Sequence, residues 1–238
     1  MYSYFYRWNF VAEFTLSLPR VFRVQRRKLV RDFTKSTMKT DPTNHGRTIT
    51  TLASREVYRN PWLRVREDEV LRSNGEHGIY GVVDKDDCAV ILPIESGRIW
   101  LVEQFRYTIQ ERALELPQGG WEMQVENPEE LARAELKEEL GLEAKEMTYL
   151  GTLWIAYGFV NQKQHVFLAA GLTLTEKDPD PEEHDLRAHC VSVEEFEQMM
   201  LGGVIRDSCT LSAWGLYLLW KARQGTTGTG DPGSTTRL

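Results

Sequence analysis

The stretch GGWEMQVENPEELARAELKEELGL, residues 119–142, decides the reading of this chain. Asn127 followed by Pro128 reads as a helix N-cap and first helical residue, and Glu130 stands where a capping box places its acid. Gly141 closes the segment as a C′ residue. Between these ends Leu131, Leu136 and Leu140 can turn inward, while Glu135, Glu138 and Glu139 fall at i, i+3 and i+4 and share a face.

Three acids in one patch disfavour a helix by roughly a few tenths of a kcal/mol per pair, so the arrangement asks for a cation. Carboxylate oxygens on a rigid element suit Mg²⁺ or Mn²⁺, which keep waters and bridge to substrate phosphates. The plain alternative is a solvated acidic face on a surface helix. What argues against it is the entry to the helix, with Gly119 and Gly120 after Pro117 and Glu126 at the turn. Glycines let backbone N–H groups approach a phosphate closely.

The same stretch resembles the Nudix box, G-x5-E-x7-R-E-U-x-E-E-x-G-U, where U is a bulky aliphatic. Gly120, Glu126, Glu135, Leu136, Glu138, Glu139, Gly141 and Leu142 fall on the pattern at its spacings. One position departs. The family's arginine is Ala134 here, and an arginine stands one place early at Arg133. In the family that arginine holds catalytic loop and helix together through a carboxylate, so its absence bears on efficiency. A pattern of this length with one mismatch is far more specific than a lone glycine motif.

With 238 residues, 41% of them hydrophobic, the chain has material for one core plus tails, and a net charge of −6 argues against nucleic acid as a partner. Cys88, Cys190 and Cys209 lie far apart without metal-ligand spacing, as expected of buried thiols in a reducing compartment.

Three parts are expected: an extension over 1–45, a catalytic domain over 46–223, and a tail over 224–238 rich in Gly, Thr and Ser. The extension gathers Arg20, Arg23, Arg26, Arg27, Lys28 and Arg31, with Glu13 and Asp32 its only acids before Asp41. It reads as an organelle transit peptide, a membrane-surface segment or a stretch the domain does not need, Met38 being a possible start; the last is preferred. It holds no apolar run long enough to span a bilayer, and the expected location is cytoplasmic unless the extension directs otherwise.

Along the domain, Val57, Trp62, Leu63, Val65 and Val70 suggest early strands turning at Asn60-Pro61. Ser73-Asn74-Gly75 signals a hairpin, with 78–83 as the returning strand. Cys88 to Ile94 reads as a buried strand, and Ile99 to Phe105 follows as its hairpin partner beyond the Gly97 turn. Leu114 to Pro117 leads into the box, strands are expected over 147–154 and 165–170, and Tyr157-Gly158-Phe159 lies in the loop between. Ser192 caps a short helix over 193–201 that ends at Gly202-Gly203. Asp207 caps a last helix whose Leu211, Trp214, Leu218 and Leu219 are expected to form the core stripe.

The resemblance is to the branch of the Nudix family that hydrolyses ADP-ribose, and it spans residues 50 to 222. It implies an α/β/α sandwich with a mixed β-sheet, preceded by a small strand-rich part that joins a homodimer. It also implies Mg²⁺, with Mn²⁺ as substitute, held by Glu135, Glu138, Glu139 and the Gly119 carbonyl. The substrate side would use Arg106, Trp62, Gly120 and Glu115. Trp62 would stack on a base or remain a half-buried strand aromatic, and Arg106 would grip a diphosphate or sit at a strand end. Glu115 would serve metal or substrate. From the acidic loop over 176–185, Glu183 or Glu182 would deprotonate the attacking water, with His184 as the other candidate and a solvated linker as the plain reading.

The implied activity is metal-dependent hydrolysis of a nucleoside diphosphate sugar, foremost ADP-ribose to AMP and ribose 5-phosphate. Tyr157 replaces the proline that ADP-ribose hydrolases carry in that loop, which keeps GDP-mannose, a dinucleoside polyphosphate or a coenzyme open as substrates. Ala134 keeps open a nucleotide-sensing module that has lost catalysis, although such a module would not need the repulsive glutamate cluster.

Overall fold

In the computed structural model, residues 48–120, 127–176 and 185–226 are described. The expected extension, the tail beyond 226, the loop glutamates Glu182 and Glu183, His184 and Glu126 lie outside them.

Strands β1 (Ile49–Arg59), β2 (Arg64–Arg72) and β3 (His77–Asp84) form an antiparallel three-stranded sheet in that order. Asn60 makes the first turn by accepting the N–H groups of Trp62 and Leu63 at 3.0 and 2.9 Å, so Trp62 belongs to a turn and not to a strand. Every residue of β1 is exposed.

The second sheet holds seven strands. Its path runs β10 (Arg187–Ser192), β5 (Arg98–Arg106), β4 (Cys88–Glu95), β9 (Lys163–Leu174), β8 (Leu142–Trp154), with β6 (Glu111–Glu115) on β5 and β7 (Gln118–Gly120) on β4. Only β4 and β9 pair in parallel within it, so the sheet is mixed. The expected strand before the box is therefore two, β6 and β7, parted at Leu116-Pro117. The two sheets meet where the Val83 N–H donates to the Phe159 carbonyl and Asn161 Nδ2 donates to Asp84 at 2.7 Å.

Strand β4 shows why helices cover both faces. Ala89 and Ile91 point to one side and Val90 and Leu92 to the other, all four fully buried, as the two-residue period of a doubly covered strand requires. On one side lies α1 (Pro128–Leu140), whose Leu131, Ala132, Leu136 and Leu140 pack on Ala89, Ile91 and Phe167. On the other lie α2 (Val193–Leu201) and α3 (Ser208–Thr226), whose Phe196, Ala213, Trp214 and Tyr217 pack on Val90, Leu92 and Leu116. Each such aliphatic or aromatic side chain contributes about 1.5–3 kcal/mol through burial. The chain folds as the α/β/α sandwich that the sequence implied.

The core stripe of α3 differs from expectation. Trp214 is buried, but Leu211, Leu218 and Leu219 are exposed, and Thr210, Ala213 and Tyr217 take the inner face. Residues 210, 213, 214 and 217 also fit a helical period, and apolarity alone selected the wrong neighbours of Trp214.

Candidate active site

Helix α1 forms as its ends dictate. Asn127 Oδ1 accepts the Glu130 N–H at 3.0 Å, Asn127 Nδ2 donates to Glu130 Oε1 at 2.8 Å, and Gly141 in the left-handed region (φ 63°) donates its N–H to the Lys137 carbonyl. This rigid segment fixes the glutamates. Glu135 and Glu139 are buried with the leucines, at 9% and 0% exposure, whereas Glu138 is half-buried. The expected shared patch is thus two carboxylates taken into the helix's packed side and a third at its margin.

What receives the two buried carboxylates is β7. A Cβ on Gly119 would lie 2.0 Å from Glu135 Oε1 and 2.2 Å from its carboxyl carbon, so only glycine leaves room for that side chain. One residue earlier, the Gln118 N–H donates to Glu139 Oε2 at 3.0 Å. Gln118 Nε2 donates to Glu115 Oε2 at 2.8 Å and approaches Asp207 Oδ2 at 3.3 Å. Asp207 is held in turn by the N–H and hydroxyl of Thr210, both at 2.8 Å, as the N-cap of α3.

Beside β7 opens a cleft of about 900 Å³ whose walls include Gln118, Gly119, Gly120, Arg106, Arg206 and Asp207. Arg106 Nη2 forms an ion pair with Glu115 Oε1 at 2.7 Å. Glu115 is itself 2% exposed, and burial raises its carboxyl above the ordinary range, Arg106 opposing the shift and Asp207 adding to it. One oxygen is ion-paired with Arg106 and the other accepts from Gln118, so it holds the cleft arginine in place. Trp62 is half-exposed on the first sheet's turn and is not part of the cleft wall.

Arg112, also in the wall, pairs with Glu103 and binds Asp185 at 2.6 Å, pinning the last residue of the acidic loop. Glu103 also meets His189 Nε2 at 2.9 Å. Arg112 first, then burial opposing it and His189 assisting, leave the Glu103 carboxyl below its usual range. Cys88 and Cys209 line the cleft, and burial pushes both thiols up to about 12, which keeps them protonated and poor nucleophiles. Arg133, one place before Ala134, pairs with Glu129 and donates to the Ala144 carbonyl on β8 at 2.8 Å.

Among the described residues no three His, Cys, Asp or Glu side chains converge as a ready-made metal cage. The donor set nonetheless fits a hard divalent cation. Two helix carboxylates are carried to the glycine edge of an open cleft, and Mg²⁺ is ordinarily bound by one or two carboxylates, waters and substrate phosphates. Sequence reasoning missed Gln118 and Arg112, and with them Arg206 and Lys85 of the cleft wall. The one signal available was a polar residue between Pro117 and the glycine pair.

Comparison with known proteins gives the same direction. The NUDIX domain family matches residues 85–208, just over half the chain, and the nucleoside diphosphate sugar hydrolase N-terminal domain matches 49–83. The ADP-ribose pyrophosphatase of Bacillus subtilis (strain 168) is 29% identical over 136 residues, 57% of this chain and 73% of that protein. The ADP-ribose pyrophosphatase of Mycobacterium tuberculosis (strain ATCC 25618 / H37Rv) is 29% identical over 164 residues, 68% and 79% respectively. A solved structure described as an ADP compounds hydrolase superposes with a TM-score of 0.68 at 22% identity, covering 75% of this chain and 96% of its own, which shows the shared fold. The chain belongs to the Nudix family. Within that family it is a pyrophosphohydrolase, an enzyme that splits a phosphoanhydride with water.

Proposed function

We propose that the protein hydrolyses the diphosphate linkage of an ADP-sugar, foremost ADP-ribose, to AMP and ribose 5-phosphate, and that it uses Mg²⁺, with Mn²⁺ as substitute. The observation that carries this reading is the placement of Glu135 and Glu139 against Gly119 and Gln118, at the edge of a cleft that also contains Arg106. The two relatives named ADP-ribose pyrophosphatase and the matched N-terminal domain favour the substrate class.

Glu135, Glu139, the half-buried Glu138 and the Gly119 carbonyl are the groups that would hold the metal. When bound, the ion neutralises diphosphate charge and lowers the pKa of a coordinated water. The chain's own residues do the rest. Arg106, oriented by Glu115, grips a phosphate oxygen pair, and the backbone at Gly120 allows the diphosphate to approach closely. A water oxygen bonds to one phosphorus, the bridging P–O bond breaks, and the water's proton passes to a carboxylate of the acidic loop, Glu183 or Glu182. Asp185, the last residue of that loop, is tied to the cleft wall by Arg112.

We further assign the exposed β1 face, with Ile49, Leu52, Val57 and Tyr58, to a homodimer in which Trp62 serves as a base platform. Three free thiols favour a cytoplasmic location. No helix among the described residues is long and apolar enough to cross a membrane.

The deciding experiment is AMP release from ADP-ribose with Mg²⁺, comparing the parent with Glu139→Gln across a panel of nucleotides. A parent activity that falls by about a hundredfold or more in the variant supports the reading. Absence of AMP release from any nucleotide sugar overturns it. A second reading, a substrate carrying a larger second group such as a dinucleoside polyphosphate, is favoured by Tyr157, which is 82% exposed beside the cleft residue Ile155. The same panel tests it.

A further inference from the structure

We infer that Gln118 is a positioning residue for the hydrolysis: its side chain anchors the strand whose backbone holds Glu139, and so sets the site's affinity for its divalent cation. The inference rests on the reading of Glu135 and Glu139 as cation-binding groups.

Strand β7 is only three residues long, and two of them are glycines. Its pairing with β4, Val90 to Gln118 and Cys88 to Gly120, fixes one edge. Both helix carboxylates nevertheless meet it, Glu139 through the Gln118 N–H and Glu135 in the space at Gly119. A short glycine-rich strand needs a second anchor to hold such contacts steady. Gln118 has two amide N–H donors, and two carboxylates face them, Glu115 Oε2 at 2.8 Å and Asp207 Oδ2 at 3.3 Å.

These contacts close a ring. The Leu116 N–H donates to Thr210 Oγ1 at 2.9 Å, and Thr210 donates to Asp207, which faces Gln118 again. The ring ties the segment before β7 to the first turn of α3 on the opposite side of the sheet from α1. Gln118 therefore reaches one way to Glu139 through its backbone and the other way to α3 through its side chain. Loss of the amide would leave Glu115 and Asp207 without a shared donor and release β7 on its unpaired edge.

The test compares Gln118→Met, which keeps length without donors, with Gln118→Lys, which restores an N–H donor. Two quantities are read: binding of Mn²⁺ alone, followed by the paramagnetic resonance of the free ion without nucleotide, and kcat and KM on the best nucleotide of the panel. Gln118→Met is expected to weaken Mn²⁺ binding and lower kcat by about tenfold or more, the scale of losing a residue that orients a metal ligand, with KM close to parent. Gln118→Lys is expected to recover most of both, and melting checks that each variant is folded. Parent-like Mn²⁺ binding in folded Gln118→Met overturns the inference, as does a loss confined to KM, which would mean direct contact with substrate. Because the Mn²⁺ arm needs no substrate, it decides the inference even if ADP-ribose is not hydrolysed. A parent that binds no Mn²⁺ overturns the cation reading and this inference together.

Discussion

The carboxylate of Glu135 occupies the space where a side chain on residue 119 would begin, 2.0 Å from the position of a Cβ there. Gly119→Ala must therefore displace Glu135 or β7. Because a misplacement of about 1 Å in a catalytic group costs about a hundredfold, kcat should fall by about that factor. Melting should show that the fold survives, since the change lies at the cleft edge. Steady-state kinetics beside a melting curve checks both.

Arg106 and Glu115 make a pair with one buried member, and the pH dependence follows from its sign. The Glu115 carboxyl is raised by burial, so its contribution to stability is fully present below the unfolded glutamate pKa and is lost as pH rises through the folded value. Arg106→Met removes the group that opposes the rise. Its melting deficit should be small below the unfolded glutamate pKa and grow as pH rises through the folded one. Glu115→Gln should flatten that slope. Melting temperatures over a pH series read both, and a deficit of Arg106→Met that does not change with pH would contradict the pair's role.

Glu103 has the opposite sign. Arg112 and His189 hold its carboxyl low, so its stabilisation is present above the unfolded pKa and is lost as pH falls through the folded value. Glu103→Gln should reduce stability at neutral pH and make acid unfolding shallower. Denaturant titrations at neutral and acid pH measure the difference.

Arg133 joins α1 to β8 through the Ala144 carbonyl and stays away from the cleft. Arg133→Ala should cost about 1 kcal/mol of stability, the typical net worth of such a hydrogen bond, with kcat unchanged. A large loss of kcat would instead mean that Arg133 takes over the role of the arginine absent at 134.

The face of α3 is tested by two truncations. Trp214→Ala should destabilise by about 3–5 kcal/mol, because the indole packs edge-on against Phe196 with ring centroids 5.0 Å apart. Leu219→Ala, at 65% exposure, should stay within about 0.5 kcal/mol. Chemical denaturation distinguishes the two.

Some of this was determined by the sequence alone. The caps of α1, the spacing of its glutamates, the Asn74-Gly75 hairpin and the unbroken apolar run of β4 are written within a few neighbouring residues, because helix and strand patterns and turn preferences act over that range. Only the tertiary structure decided which glutamates are buried, that Glu115 pairs with Arg106, and which face of α3 turns inward. It alone brought Gln118 to Glu139, 21 residues away, and to Asp207, 89 residues away. Those contacts depend on how a three-residue strand lies between two helices on opposite faces of a sheet, and no periodicity within the chain encodes that placement.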